Sequence, residues 1–218
     1  MVKISPSILS ADFNQLGAAI RAITDGGGDL VHIDIMDGHF VPNLTIGPAV
    51  VKALRKNTEL PFDVHLMISD PDAYMKKFIN AGADIIAVHP ETCIHLHRTL
   101  HLIKENNKKA GVALNPGTSI STIEPVLEDL DLIVIMTVNP GFPAQKFINS
   151  MLPKIKQTRE LVDKYGLEIE IEVDGGINVE NARKAVMAGA DILVAGNAVF
   201  NGPKPTLAEN IKLLKDAV

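Results

Sequence analysis

Eight short runs of β-branched and apolar residues recur along this chain, and each gives way to a stretch with helical apolar spacing. They fall at 3–8, 30–34, 62–67, 84–89, 110–114, 131–137, 168–174 and 192–196. Their starts lie roughly 20 to 40 residues apart, which leaves room for one crossover helix between parallel neighbours. Parallel strands covered on both faces read as continuous apolar runs, and these do. The alternation predicts an α/β fold, a (β/α)8 TIM barrel in which residues 1–218 form a single domain. An open doubly wound sheet is the alternative. The length suits one core, since a chain of this size buries roughly 70% of its unfolded surface.

An internal repeat supports the barrel. Gly28-Asp29-Leu30-Val31, Ala81-Gly82-Ala83-Asp84-Ile85-Ile86 and Ala188-Gly189-Ala190-Asp191-Ile192-Leu193 each put glycine, then aspartate, before a strand. Glycine ends the preceding helix, the aspartate suits the turn, and the apolar run enters the barrel wall. Over 13–24 the stripe Leu16, Ile20 and Ile23 predicts a first helix with Asp12 as its N-cap. Lys52, Arg55 and Lys56 read as a solvated helix surface.

Polar residues inside apolar strands are the informative exceptions, because a buried charge is costly unless paired or bound to metal. In Val31-His32-Ile33-Asp34-Ile35-Met36 the two-residue period sends His32 and Asp34 to one face and Val31, Ile33 and Ile35 to the other. Asp63-Val64-His65-Leu66-Met67 and Glu172-Val173-Asp174-Gly175-Gly176, at the ends of the third and seventh strands, each supply one more ligand-type residue, His65 and Asp174. In a barrel all strand C-termini open onto one face, so His32, Asp34, His65 and Asp174 can converge there. Two imidazoles and two carboxylates suit one divalent metal ion, zinc first, with Fe²⁺, Mn²⁺ or Co²⁺ also compatible. Asp37 and His39, in the loop that follows, suit turn chemistry. His97 and His101 have the i, i+4 spacing that can bind metal on a helix, although a solvated helix face is the simpler reading. Cys93 has no evident base beside it and reads as inert.

Phosphate recognition calls for converging backbone N–H groups, and three consecutive loops offer glycine for a close approach. They are Asn139-Pro140-Gly141-Phe142, Gly175-Gly176-Ile177-Asn178 and Gly196-Asn197-Ala198, on the side where barrels commonly hold phosphate. Charge excludes other partners: 21 Lys and Arg against 26 Asp and Glu leave a net charge of −5 and no basic field for nucleic acid. The longest apolar runs fall short of the ~20 residues that span a bilayer, so no membrane association is expected. With Cys93 as the only cysteine and no long apolar stretch in Met1-Val2-Lys3-Ile4-Ser5-Pro6, the expected compartment is the cytoplasm.

These motifs together resemble the ribulose-phosphate 3-epimerase family. The resemblance rests on Ser5-Pro6-Ser7-Ile8-Leu9, His32-Ile33-Asp34-Ile35-Met36-Asp37-Gly38, Asp63-Val64-His65-Leu66-Met67, Val138-Asn139-Pro140-Gly141-Phe142 and Glu172-Val173-Asp174-Gly175-Gly176-Ile177, in order along nearly the whole chain. It implies a barrel of the ribulose-phosphate-binding type, a phosphorylated ketose as substrate and a homo-oligomer. Carried over residue by residue, it makes His32, Asp34, His65 and Asp174 metal ligands, Asp34 and Asp174 the acid/base pair, and Ser7 and His65 substrate contacts. Met36, Met67 and Met136 end barrel strands and match methionines that line the family's pocket. The loop Gly141-Phe142-Pro143-Ala144 departs from the pattern, since the family usually has glycines where Pro143 and Ala144 stand, and Pro143 has no N–H to donate. Asn197 replaces a more usual serine and keeps its backbone donor.

The expected reaction is reversible epimerisation at C3 of D-ribulose 5-phosphate to D-xylulose 5-phosphate. Inverting a carbon beside a ketone takes a proton off one face and returns one to the other. Two carboxylates across the substrate meet that need, and a metal between them polarises the carbonyl and stabilises the enediolate. Allulose 6-phosphate is the rival substrate. A lyase using an aspartate and a lysine, or a non-catalytic binding scaffold, are the rival classes, and no lysine stands beside Asp34.

Overall fold

A computed structural model describes residues 2–218. Eight parallel strands form one sheet in the order β1-β8-β7-β6-β5-β4-β3-β2. They are β1 (Lys3–Pro6), β2 (Val31–Met36), β3 (Phe62–Met67), β4 (Ile85–Val88), β5 (Lys109–Leu114), β6 (Leu132–Met136), β7 (Glu170–Asp174) and β8 (Ile192–Ala195). A parallel bridge from Ser7 to His32 joins the two edge strands and closes the ring. Helices α1 (Leu16–Asp25), α2 (Pro48–Arg55), α3 (Pro71–Ala81), α4 (Leu96–Lys104), α5 (Leu152–Tyr165), α6 (Val179–Met187), α7 (Asn197–Phe200) and α8 (Leu207–Asp216) surround it. The barrel predicted from the strand spacing is the fold observed.

Alternation along the strands divides the core in two. Val31, Ile33 and Ile35 of β2 and Phe62, Val64 and Leu66 of β3 face outward and are buried against the helices. Leu30, Ile85, Ala87, Ala113, Leu132, Val134, Met136, Val138 and Ile192 make an apolar cluster of their own. His32, Asp34, Asp63, His65, Glu172 and Asp174 lie on the alternate, inward positions of β2, β3 and β7, so the barrel interior is polar on that side.

Two expectations about the helical layer change. The crossover from β5 to β6 contains no α-helix, only 3-10 turns at Ile120–Thr122 and Glu124–Asp129. The span is short and broken by Pro116, Gly117 and Pro125, and a proline inside a helix removes a hydrogen bond and clashes with the preceding turn. The first helix begins later than expected: Asp12 caps a 3-10 turn at Phe13–Gln15, and α1 starts at Leu16.

The Gly-Asp repeat marks a ring of pins at the N-terminal end of the barrel. Asp29, Asp84, Asp131 and Asp191 each stand before an even-numbered strand. Each carboxylate accepts a backbone N–H from the odd-numbered strand before it: Ile4 at 2.8 Å, Phe62 at 2.9 Å, Ala110 at 2.8 Å and Ile171 at 2.8 Å. Each also meets a base from an even-numbered crossover: Lys215 at 2.9 Å, Arg55 at 2.9 Å, Lys104 at 3.7 Å and Arg159 at 2.5 Å. The repeat therefore has a fourth member, Asp131, which no glycine precedes. Arg55, expected on a solvated surface, is instead held over the Phe62 ring at 3.9 Å and donates to the carbonyls of Thr58 and Leu60 at 2.6 and 2.7 Å.

Candidate functional site

His32, Asp34, His65 and Asp174 converge near the C-terminal end of the barrel, and one ligand atom from each lies within 4.8 Å of the others. Register explains the meeting: Asp34 pairs with His65 across β2 and β3, and Asp174 stands on β7. His32 Nε2 is 3.4 Å from Asp34 Oδ1 and 3.7 Å from Asp174 Oδ2, and His65 Nδ1 is 3.7 and 3.5 Å from the same atoms. Four donors about 2.05 Å from a tetrahedral zinc would stand about 3.3 Å apart. The site is therefore already close to the spacing a metal ion needs. Both inward nitrogens, His32 Nε2 and His65 Nδ1, are buried without a hydrogen-bond partner, as befits lone pairs aimed at a cation.

Electrostatics point the same way. Burial works to lower the His32 imidazole, but the charges of Asp34 and Asp63 outweigh it and raise it well above the usual histidine value. His65 is raised too, burial being outweighed by Asp174 and Asp34. For Asp34, burial is overcome by His32 and His65, which hold its carboxyl far below the ordinary carboxylate range. A field that favours positive charge on both rings also favours a cation between them.

A second layer, which the sequence reasoning missed, orients the two rings. His32 Nδ1 is 2.6 Å from Asp63 Oδ2 and 3.6 Å from Glu172 Oε1, all wholly buried. Burial and the charge of Asp63 push the Glu172 carboxyl well up. His65 Nε2 stands 2.9 Å from His89 Nε2, and His89 Nδ1 is 3.7 Å from Glu91. Burial lowers His89 to about 4, so a neutral imidazole backs His65 whereas the Asp63 carboxylate backs His32. The signal for Asp63 and Glu172 was available: each lies two residues before a ligand, on the same strand face.

Above the four lies a cavity of about 560 Å³. Its lining includes Ser7, Asp34, Met36, Met67, Met136, Gly141, Phe142, Pro143, Ala144, Asp174, Gly175, Gly176, Gly196 and Asn197. His32 and His65 are fully buried and outside that lining. Ser7 Oγ donates to Asp34 Oδ2 at 2.6 Å. Thr45 Oγ1 donates to the Asp34 carbonyl at 2.7 Å and accepts the Met36 N–H at 3.0 Å, fixing the end of β2. Asn43 Nδ2 donates to the Gly141 carbonyl at 2.8 Å and ties the loop after β2 to the loop after β6. Thr137 Oγ1 donates to the Gly175 carbonyl at 2.6 Å and ties the loop after β7 to the end of β6. Ala144 has φ 59°, the left-handed conformation that glycine adopts freely, so this loop keeps a glycine-type backbone without glycine.

Residues 3–200 match the model of the ribulose-phosphate 3 epimerase family. The chain belongs to this family. A ribulose-phosphate 3-epimerase of Bacillus subtilis is 58% identical over 201 residues, covering 92% of this chain and 93% of that protein. A ribulose-phosphate 3-epimerase of Synechocystis is 52% identical, covering 93% and 89%. The chloroplastic ribulose-5-phosphate-3-epimerase of Arabidopsis thaliana is 54% identical over 97% of this chain and 75% of its own. Among solved structures, the 3-hexulose-6-phosphate synthase of Salmonella typhimurium superposes with a TM-score of 0.73 at 16% identity, covering 99% of this chain and 98% of that one. That likeness shows the fold. The membership agrees with the resemblance read from the motifs, and no helix among the described residues of this epimerase-family chain is long and apolar enough to cross a membrane.

Proposed function

We propose that this protein is a metal-supported ribulose-phosphate 3-epimerase that interconverts D-ribulose 5-phosphate and D-xylulose 5-phosphate. The observation that carries the reading is the pair of carboxylates, Asp34 and Asp174, which reach one cavity from strands on different sides of the barrel with two imidazoles beneath them. His32, His65, Asp34 and Asp174 would hold the ion, most simply zinc, given the spacing and unpartnered nitrogens described above. When bound, the cation polarises the substrate carbonyl and acidifies the proton on the adjacent carbon.

Asp34 is the proton acceptor in the ribulose direction. Ser7 fixes its Oδ2, and the histidines keep it ionised. The C3–H bond breaks and an O–H bond forms on Asp34, while an O–H bond on Asp174 breaks and a C–H bond forms on the opposite face of C3. The roles exchange in the reverse direction. Met36, Met67 and Met136 present polarizable thioethers to the planar carbon between the two transfers and add no competing proton. The phosphate is received by backbone N–H groups of Gly175, Gly176, Gly196 and Asn197, whereas Pro143 offers none.

Incubation with D-ribulose 5-phosphate in D₂O, followed by NMR, tests the reading. Xylulose 5-phosphate carrying deuterium at C3 is expected, and Asp34→Asn or Asp174→Asn should slow exchange by about 10²- to 10⁴-fold or more. Product without C3 deuterium, or wild-type exchange in either variant, would sink the two-carboxylate scheme.

A further inference from the structure

We propose a second divalent-cation site on the outer surface, formed by His97 and His101 of α4 with Asp129 at the end of the β5–β6 crossover. The two histidines stand one turn apart on one helix face, their rings 4.3 Å apart. Asp129 comes from a different element and completes the set: Oδ1 is 3.1 Å from His101 Nε2 and Oδ2 is 3.8 Å from His97 Nε2. One ligand atom from each of the three lies within 4.8 Å of the others. Tetrahedral zinc would place its ligands about 3.3 Å apart, a value the two measured separations bracket. Three donors of the N2O type suit a borderline cation such as Zn²⁺, Ni²⁺ or Cu²⁺, with water in the position left open to solvent.

The neighbourhood leaves Asp129 available. Its ion-pair partners among the described residues are these two imidazoles. Lys104, the nearby cation, donates to the Asp129 main-chain carbonyl at 3.2 Å and directs its charge to Asp131 at 3.7 Å. The three side chains are 66%, 46% and 25% exposed, so an ion can reach them without opening the fold. The site has a mechanical consequence. It would clamp α4 to Glu124–Asp129, part of the crossover that has only 3-10 turns. None of the three residues lines the cavity, so occupancy should change stability and leave turnover untouched.

The test uses the untagged chain and zinc alone. Equilibrium dialysis with metal analysis should give one more equivalent bound to the wild type than to His97→Ala or His101→Ala, because the interior site is common to all three. Loss of a partner that merely orients a ligand weakens metal binding about 10- to 100-fold, so loss of a ligand should weaken this site at least about tenfold. Retention on an immobilised Ni²⁺ resin provides the second arm, since buried His32 and His65 cannot reach a resin. His97→Ala and His101→Ala should abolish retention, and His95→Ala, an exposed histidine just before the same helix, should leave it unchanged. Equal zinc stoichiometry in wild type and variants, or equal retention of His97→Ala and His95→Ala, would mean that the cluster is a plain imidazole–carboxylate ion pair and would overturn the proposal.

Discussion

His32 Nδ1 and Asp63 Oδ2 stand 2.6 Å apart in the sealed interior, and this contact decides which nitrogen of His32 faces the cluster of carboxylates. With Nδ1–H donated to Asp63, Nε2 keeps its lone pair for an ion. Asp63→Asn and Asp63→Ala should therefore weaken zinc binding about 10- to 100-fold. A chelator competition on the stripped protein reads that number directly. An unchanged affinity in Asp63→Ala would show that the ring is oriented by packing alone.

Asp84 illustrates the ring of pins. Its Oδ2 accepts the Phe62 N–H and meets Arg55, while Lys108 stands 3.3 Å from Oδ1. Asp84→Ala leaves the Phe62 N–H without its acceptor and the Arg55 guanidinium with only its two carbonyl partners, at a cost of about 1–3 kcal/mol. In a chain of this size each kcal/mol lowers Tm by about 2–4 °C. Asp84→Asn keeps an oxygen in place and should recover part of the loss. Thermal melts of Asp29, Asp131 and Asp191 alanine variants should fall in the same range if the fourfold arrangement is one structural device.

Much of this was legible in the sequence for a physical reason. Continuous apolar runs at crossover spacing have few folds open to them, and a histidine or aspartate inside such a run must be paid for by a partner. That singles out His32, Asp34, His65 and Asp174, whose ligand atoms lie within 4.8 Å of one another. Asp63 and Glu172 obey the same two-residue period, but each stands one step deeper in the barrel than the ligand on its strand, where sequence alone does not distinguish a supporting group from a ligand. His89 and Glu91 were less accessible, since the contact with His65 depends on how two adjacent strands stack their rings. The missing helix between β5 and β6 follows from prolines whose effect depends on the length available. Arg55 looks solvated by composition, yet its guanidinium folds back across Phe62, a tertiary contact that no local pattern encodes.

The loop after β2 should respond to acid through Asp37. Burial works against ionisation there, but the N–H groups of Ser69, His39 and Phe40 outweigh it and bring the carboxyl down to about 2. A depressed carboxyl stabilises the fold above its unfolded value near 4 and loses that contribution as pH falls through about 2. Asp37→Ala should be less stable at pH 6 by about 1 kcal/mol, after discounting for solvent exposure. The gap to wild type should close as pH approaches 2. Melts at several pH values test this, and a gap that stays constant would assign the loss to packing.

Cys93 should be slow to react. Burial pushes its thiol up to about 11, against about 8.5 for free cysteine, so little thiolate exists at pH 8. Alkylation by iodoacetamide at that pH should run on the order of a hundredfold slower than that of glutathione, as followed by mass spectrometry. A rate matching glutathione would place the thiol in water, contrary to its packing beside Thr99 and Thr92.

Gly176 is the sharpest test of how the cavity is built. Its φ is 68°, and a Cβ there would stand 2.5 Å from Phe147 N and 2.8 Å from Gln145 O, both main-chain atoms. The loop after β7 is thus packed against the loop after β6 with no room for a methyl group. Gly166 has nearly the same φ, 64°, but nothing lies within 4 Å of its would-be Cβ. Alanine at either position pays about 1–2 kcal/mol for the left-handed backbone. Only Gly176→Ala must also push the two loops apart. Gly176→Ala should therefore lose more stability than Gly166→Ala, and it alone raises KM for the phosphorylated ketose, by about tenfold or more if the separation costs at least about 1.4 kcal/mol of binding. Steady-state kinetics beside thermal melts separate the effects, and equal KM values in the two variants would show that the contact between the loops does not shape the substrate site.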